Sequence, residues 1–159
     1  MTTKPRPSII DRKSEILAVT LDLAFSIGPD NVTTGQIAGQ LGISQPAIYK
    51  HYSGKEIIWN AVGKMLSDRI SENLQSDGQS SGSPLAEIRR LVLVHLELIS
   101  KFPALPEIMV IRDPSSAIRG ARSQMQSAMT TYQQALAREF LNAQNMGQLP
   151  NTMKPDDYL

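Results

Sequence analysis

Between Thr33 and Tyr52 the chain carries two short helix signals separated by Gly42, and this spacing constrains the fold more than any other feature. Thr33 followed three residues later by Gln36 is a capping box: each side chain satisfies a backbone N–H that has no partner inside the helix. Ile37, Ala38 and Leu41 then fall on one helical face. Gly42 breaks the run, and Ser44 is placed to cap the next helix. Pro46 is tolerated there because first-turn N–H groups lack intrahelical acceptors anyway. The result is a pair of short helices joined by a tight turn, with polar side chains at the start of the second.

The flanking sequence is helical as well. From Asp11 the apolar residues Ile16, Leu17, Leu21, Ala24 and Phe25 recur at helical spacing until Gly28-Pro29 stops them. Ser53 with Glu56 forms a second capping box, opening a longer helix through Trp59, Val62, Met65, Leu66, Ile70 and Leu74. The stretch from Asp77 to Pro84 has no apolar residue and is expected to be a flexible connection. Helices are then expected over Leu85–Lys101, Leu105–Asp113 and Ser115–Met146, the last ended by Gly147 and Pro150. No segment alternates with period two between hairpin turns, so the fold class is all-α.

Composition excludes more than it assigns. Hydrophobic residues are 41% and charged residues 19%, ordinary for a globular chain. With no cysteine there is no disulfide, thiolate zinc site or cysteine nucleophile. No apolar run approaches the roughly 18 residues of a membrane span. Lys4 and Arg6 are followed by Ser8-Ile9-Ile10-Asp11-Arg12-Lys13 rather than by an apolar signal core, so a cytoplasmic protein is expected. The only histidines, His51 and His95, are far apart, so no metal site and no cofactor are expected. The same scarcity of nucleophile–base pairs argues against an enzyme.

The net charge of +1 points to no partner, but its distribution does. From Asn31 to Lys55 there is no Asp or Glu, while Lys50, His51 and Lys55 are present. Such a patch meets a polyanion without repulsion. A helix-turn-helix that lays its second helix in the major groove needs these features. A small helical hairpin with polar caps has them too, and residue chemistry alone leaves the two readings even.

Ile16-Leu17, Ala24-Phe25, Gly28, Val32-Thr33, Ile37-Ala38, Leu41-Gly42-Ile43-Ser44, Ala47-Ile48-Tyr49, His51-Tyr52 and Lys55-Glu56 stand in the order of a known signature. Over Asp11 to Met65 the chain resembles the N-terminal domain of the tetracycline-repressor (TetR) family. The resemblance implies a three-helix DNA-binding head over residues 1–56 and a helical effector-binding and dimerisation body over 57–159. It implies a homodimer reading a palindromic operator in double-stranded DNA, usually repressing, and released by a small-molecule effector. The alternative is a DNA binder without an effector, its body serving assembly or a protein partner.

Site residues follow from the resemblance position by position. Gln45 matches a groove-facing position whose amide can pair with adenine. Pro46 and Ala47 resemble contacts to thymine methyls, beside Ser44 at the helix start. Tyr49, Lys50 and His51 look like phosphate or base-edge contacts. Thr34 and Lys55, each at a helix N-terminus, match phosphate clamps. Ile37, Leu41, Ile43 and Ile48 are expected in the core, and Tyr52 either there or against DNA.

In the body the resemblance is one of architecture. Candidate pocket liners are Trp59, Met65, Leu66, His95, Ile99, Met109, Arg112, Met125, Met129 and Tyr132, each of which can equally be ordinary core. Family members continue with two further helices that form a four-helix dimer interface. The sequence reaching Leu159 is expected to lack them. Ala121, Met125, Ala128, Met129, Tyr132, Ala135 and Leu136 are then open to a pocket or an exposed interface.

Overall fold

The computed structural model describes residues 9–75, 83–110 and 116–152, and among them every regular element is helical. The helices are α1 (Ile9–Ile27), α2 (Thr34–Leu41), α3 (Gln45–Tyr49), α4 (Lys55–Gln75), α5 (Pro84–Lys101), α6 (Leu105–Val110) and α7 (Arg119–Asn145), with a short 3-10 turn at Pro29–Asn31. They gather into two compact units. One comprises residues 1–64 and 103–123, the other 65–102 and 124–159. Arg112 and the stretch from Asp77 to Gly82 lie outside the described residues.

In the first unit α1 buries Ile16, Leu17, Leu21 and Ala24 along one stripe, joined by Thr20, whose hydroxyl donates to the Ile16 carbonyl at 2.7 Å. Phe25 was expected in that stripe but is 55% exposed, because its position on the last turn is rotated away from the buried face. Gly28, at φ 85°, turns the chain into the 3-10 segment. The capping box at α2 forms as expected. The Gln36 N–H donates to Thr33 Oγ1 at 3.2 Å, and the Thr33 N–H donates to Gln36 Oε1 at 2.8 Å.

The turn between α2 and α3 is a Schellman motif. Gly42 sits at φ 64°, its N–H donates to the Gly39 carbonyl, and the Ile43 N–H donates to the Ala38 carbonyl. Ser44 occupies the cap position of α3 without a side-chain capping bond. Less capping is needed there, because Pro46 has no N–H and the Ala47 N–H is taken by the Ser44 carbonyl at 2.9 Å. At α4 the cap position is Gly54, one residue beyond the expected Ser53, since the Ile58 N–H donates to the Gly54 carbonyl.

Within the same unit α4 and α7 cross at backbone distance. A Cβ on Gly63 would stand 2.4 Å from the Ala121 Cα, and one on Gly120 would stand 2.1 Å from Asn60 Oδ1. Ile58, Trp59 and Val62 on α4 are fully buried beside this crossing in sequence.

The second unit is organised by α5 and α7. The Tyr132 hydroxyl donates to the Leu91 carbonyl at 2.8 Å, and its ring stacks on His95 with centroids 4.8 Å apart. Arg90 pairs with Glu87 and donates to the Asn73 carbonyl at 2.9 Å, tying α5 to the end of α4. Ala121, Met125, Ala128, Tyr132 and Leu136 are buried in the single chain. The expectation of an open apolar face at those positions is corrected accordingly: the stripe already serves as core, and the exposed apolar residues of α7 are Leu141 and, just after it, Met146. Gly147, at φ 68°, closes α7 in a second Schellman motif.

Two outcomes follow from this packing. Gly63→Ala forces α4 and α7 apart and is expected to lower unfolding stability by about 1–3 kcal/mol, as overpacking does. Gly39→Ala, in helix α2 with open space around it, is expected to raise stability by roughly 0.5–1 kcal/mol. Urea denaturation of both variants checks the contrast. The second outcome concerns pH. Desolvation lowers the His95 pKa from its ordinary 6.5, so the unfolded chain takes up this proton before the folded one. The His95 contribution to stability is then complete above about pH 6.5 and declines as pH falls below it. His95→Phe, which keeps a ring on Tyr132, should flatten that part of the decline in urea midpoints measured between about pH 7.5 and 5.

Candidate functional site

The α2–α3 hairpin presents one polar surface because Ile48 points the other way. Ile48 is fully buried with Ile37 and Val32, which fixes the rotation of α3 and leaves Gln45, Pro46, Tyr49 and Lys50 outward. Ser44 is exposed, while Ala47 and His51 are half-buried. Leu41 and Ile43, expected in the core, are half-buried. Tyr52 is 8% exposed and lies beneath Lys13, whose ammonium is 5.6 Å from the ring centroid. Desolvation raises the Tyr52 pKa, keeping the phenol neutral. Its role is packing.

Three of the candidate residues form one hydrogen-bonded group. Gln45 Nε2 donates to Thr34 Oγ1 at 2.8 Å, and the Tyr49 hydroxyl lies 3.3 Å from the same oxygen. Thr34 itself is only 8% exposed. Its hydroxyl therefore faces the two exposed side chains of α3 rather than solvent. Nothing local in the sequence signals this group, since its members are separated by 11 and 15 residues.

Lys55, half-buried at the start of α4, donates to the Asp30 carbonyl at 2.8 Å. The Asp30 carboxylate accepts from the Ser116 hydroxyl at 2.6 Å. The 3-10 turn is thereby tied to the start of α4 and to the segment leading into α7. An ammonium has three N–H groups, so Lys55 keeps two for another acceptor. His51 Nδ1 is buried and, among the described residues, has no hydrogen-bond partner.

None of the candidate pocket residues lines the cleft described in the second unit. Trp59, Leu66, Met125 and Tyr132 are buried, and Met65, His95, Ile99, Met109 and Met129 are half-buried. Met109 offers its carbonyl to Arg122 Nε at 3.1 Å. The second unit contains a cleft of about 160 Å³ with a different lining: Arg69, Glu72 and Asn73 from α4, Val94, Glu97, Leu98 and Lys101 from α5, and Phe102. Among the described residues no group of three His, Asp or Glu side chains is placed to hold a metal ion, and no helix is long and apolar enough to cross a membrane.

Residues 16–62 match the family model of bacterial regulatory proteins, tetR family. The chain is similar to the nucleoid occlusion factor SlmA of Pasteurella multocida, 22% identical over 143 residues, covering 89% of this chain and 70% of that protein. Against the nucleoid occlusion factor SlmA of Sodalis glossinidius the identity is 27% over 100 residues, covering 62% of this chain and half of the relative. In fold it is similar to the ketosteroid transcriptional regulator KstR2 of Mycobacterium tuberculosis, with a TM-score of 0.73 at 16% identity over 98% of this chain and 78% of that one. The all-helical arrangement is thus a TetR-like fold.

Proposed function

Residues 16–62 are a regulatory domain of the tetR family, and from that premise we propose that the protein binds double-stranded DNA through α3, as a homodimer on a palindromic operator. The supporting observation is the surface of α3. Gln45, Pro46, Tyr49 and Lys50 are exposed on a helix held by a buried Ile48, in a stretch from Asn31 to Lys55 without an acidic residue. Two such heads read half-sites about 34–36 Å apart, one helical turn of DNA. In this reading Gln45 reads a base, Pro46 and Ala47 meet thymine methyls, and Ser44, Tyr49, Lys50, His51 and Lys55 lie along the backbone. The protein acts as a repressor in the cytoplasm and is released when a small molecule occupies the helical body.

A second reading keeps DNA binding without a small-molecule effector, the body serving assembly or a protein partner; proteins named as nucleoid occlusion factors are among those the chain is similar to. A thermal-shift screen of small molecules separates the two. A ligand of the native state raises the melting temperature, and a screen without hits supports the second reading.

The DNA reading is tested by selecting bound sequences from a random pool and measuring two variants. Gln45→Ala should cost roughly 1–3 kcal/mol on the best site and relax preference at one base pair per half-site. Lys50→Ala should weaken binding to all sequences alike and reduce the salt-dependence slope by about one. Identical behaviour of the two variants would overturn the division into reading and clamping.

A further inference from the structure

Thr34 lies at the start of α2, where the resemblance implies a phosphate contact, yet its hydroxyl is turned inward to Gln45 and Tyr49. We propose that Thr34 is a positioning residue for base reading: by holding one N–H of the Gln45 amide, it makes that side chain select adenine over guanine. This rests on the reading of α3 as the recognition helix.

The argument is a count of donors. A glutamine amide has two N–H groups and one carbonyl oxygen. Adenine in the major groove offers one acceptor, N7, and one donor, the N6 amino group, so it needs one N–H and the oxygen. Guanine offers two acceptors, N7 and O6, and a bidentate contact to it needs both N–H groups. In the structure one Nε2 hydrogen is directed to Thr34 Oγ1 at 2.8 Å. The remaining N–H and Oε1 match adenine, while guanine is left with one unmet acceptor.

The Thr34 hydroxyl is suited to this task. It accepts from Gln45 and shares its second bond with the Tyr49 hydroxyl 3.3 Å away, so it is fixed from both sides. Burial to 8% exposure removes it from competition with solvent. An amide held this way also loses little rotamer freedom on binding, which favours the pre-set orientation. Gly35 follows directly, and a Cβ there would stand 4.0 Å from Gln45 Oε1, so the amide's other end has room beside the backbone.

Thr34→Val keeps the shape and removes the hydroxyl, while Thr34→Ser keeps the hydroxyl. Competition binding on the selected operator, with adenine or guanine at the base pair read by Gln45, measures the effect. The unmodified protein should prefer adenine by about tenfold or more, Thr34→Ser should retain that preference, and Thr34→Val should reduce it to about twofold or less. The salt slope should not change. In a Gln45→Ala background Thr34→Val should have no effect on base preference, which a loss of head packing would not reproduce. An unchanged preference in Thr34→Val overturns the proposal. So does a uniform loss on all sequences with a slope lower by about one, the mark of a phosphate clamp. A full-length protein that selects no sequence overturns the DNA-binding reading itself, a result distinct from either.

Discussion

A helix of five residues has no stability of its own, because nucleating the first turn costs more than so few hydrogen bonds return. α3, from Gln45 to Tyr49, is such a helix, and the geometry of the candidate interface depends on how it is held. Three contacts hold it. The left-handed turn at Gly42 sets its direction, the fully buried Ile48 anchors its inner side, and the Thr34 hydroxyl ties its outer side to α2. The side chains that remain outward do so because these contacts use up every other face.

The turn that precedes α2 is held in a comparable way. Asp30 offers its carbonyl to Lys55 and its carboxylate to Ser116, so one residue joins the end of α1 to two later segments. The acid that immediately precedes the acid-free stretch is thereby engaged with a hydroxyl donor. Further along the same unit, Gly63 and Ala121 meet with no room for a Cβ. The α1–α3 hairpin and the residues around 116–121 thus belong to one packed body, although 86 positions separate Asp30 from Ser116 in the chain.

What the sequence revealed divides along that same line. The capping box at Thr33 and Gln36, the glycine stops at Gly42 and Gly147, and the core positions Ile16, Ile37 and Ile48 are decided within a turn or two of helix, where residue type determines the outcome. Phe25 shows the limit of periodicity, since a residue on the last turn can match the spacing and still leave the stripe. The Thr34–Gln45–Tyr49 group and the Asp30–Ser116 bond depend on how separate helices approach each other, and no local rule encodes that. The cleft between α4 and α5 depends on the same kind of approach, and half of its lining is charged, so hydrophobic patterning along either helix does not mark it. Met125 and Tyr132 fit a pocket and a core equally well by type, and the structure places both in the interior.

These contacts bear on how a regulatory head keeps specificity apart from affinity. On the proposed reading, Lys50 and Lys55 supply attraction that any DNA sequence satisfies, and attraction of that kind falls with salt. Discrimination must come from groups whose donors and acceptors are fixed before the base arrives, because a freely rotating amide matches adenine in one orientation and guanine in another. The Thr34 hydroxyl adds no charge and no outward contact, so it leaves the salt-dependent attraction as it is. It narrows what Gln45 can accept by holding a hydrogen. In a surface this small, with a short helix that cannot add contacts by lengthening, removing a hydrogen-bonding option is a more direct route to selectivity than adding one.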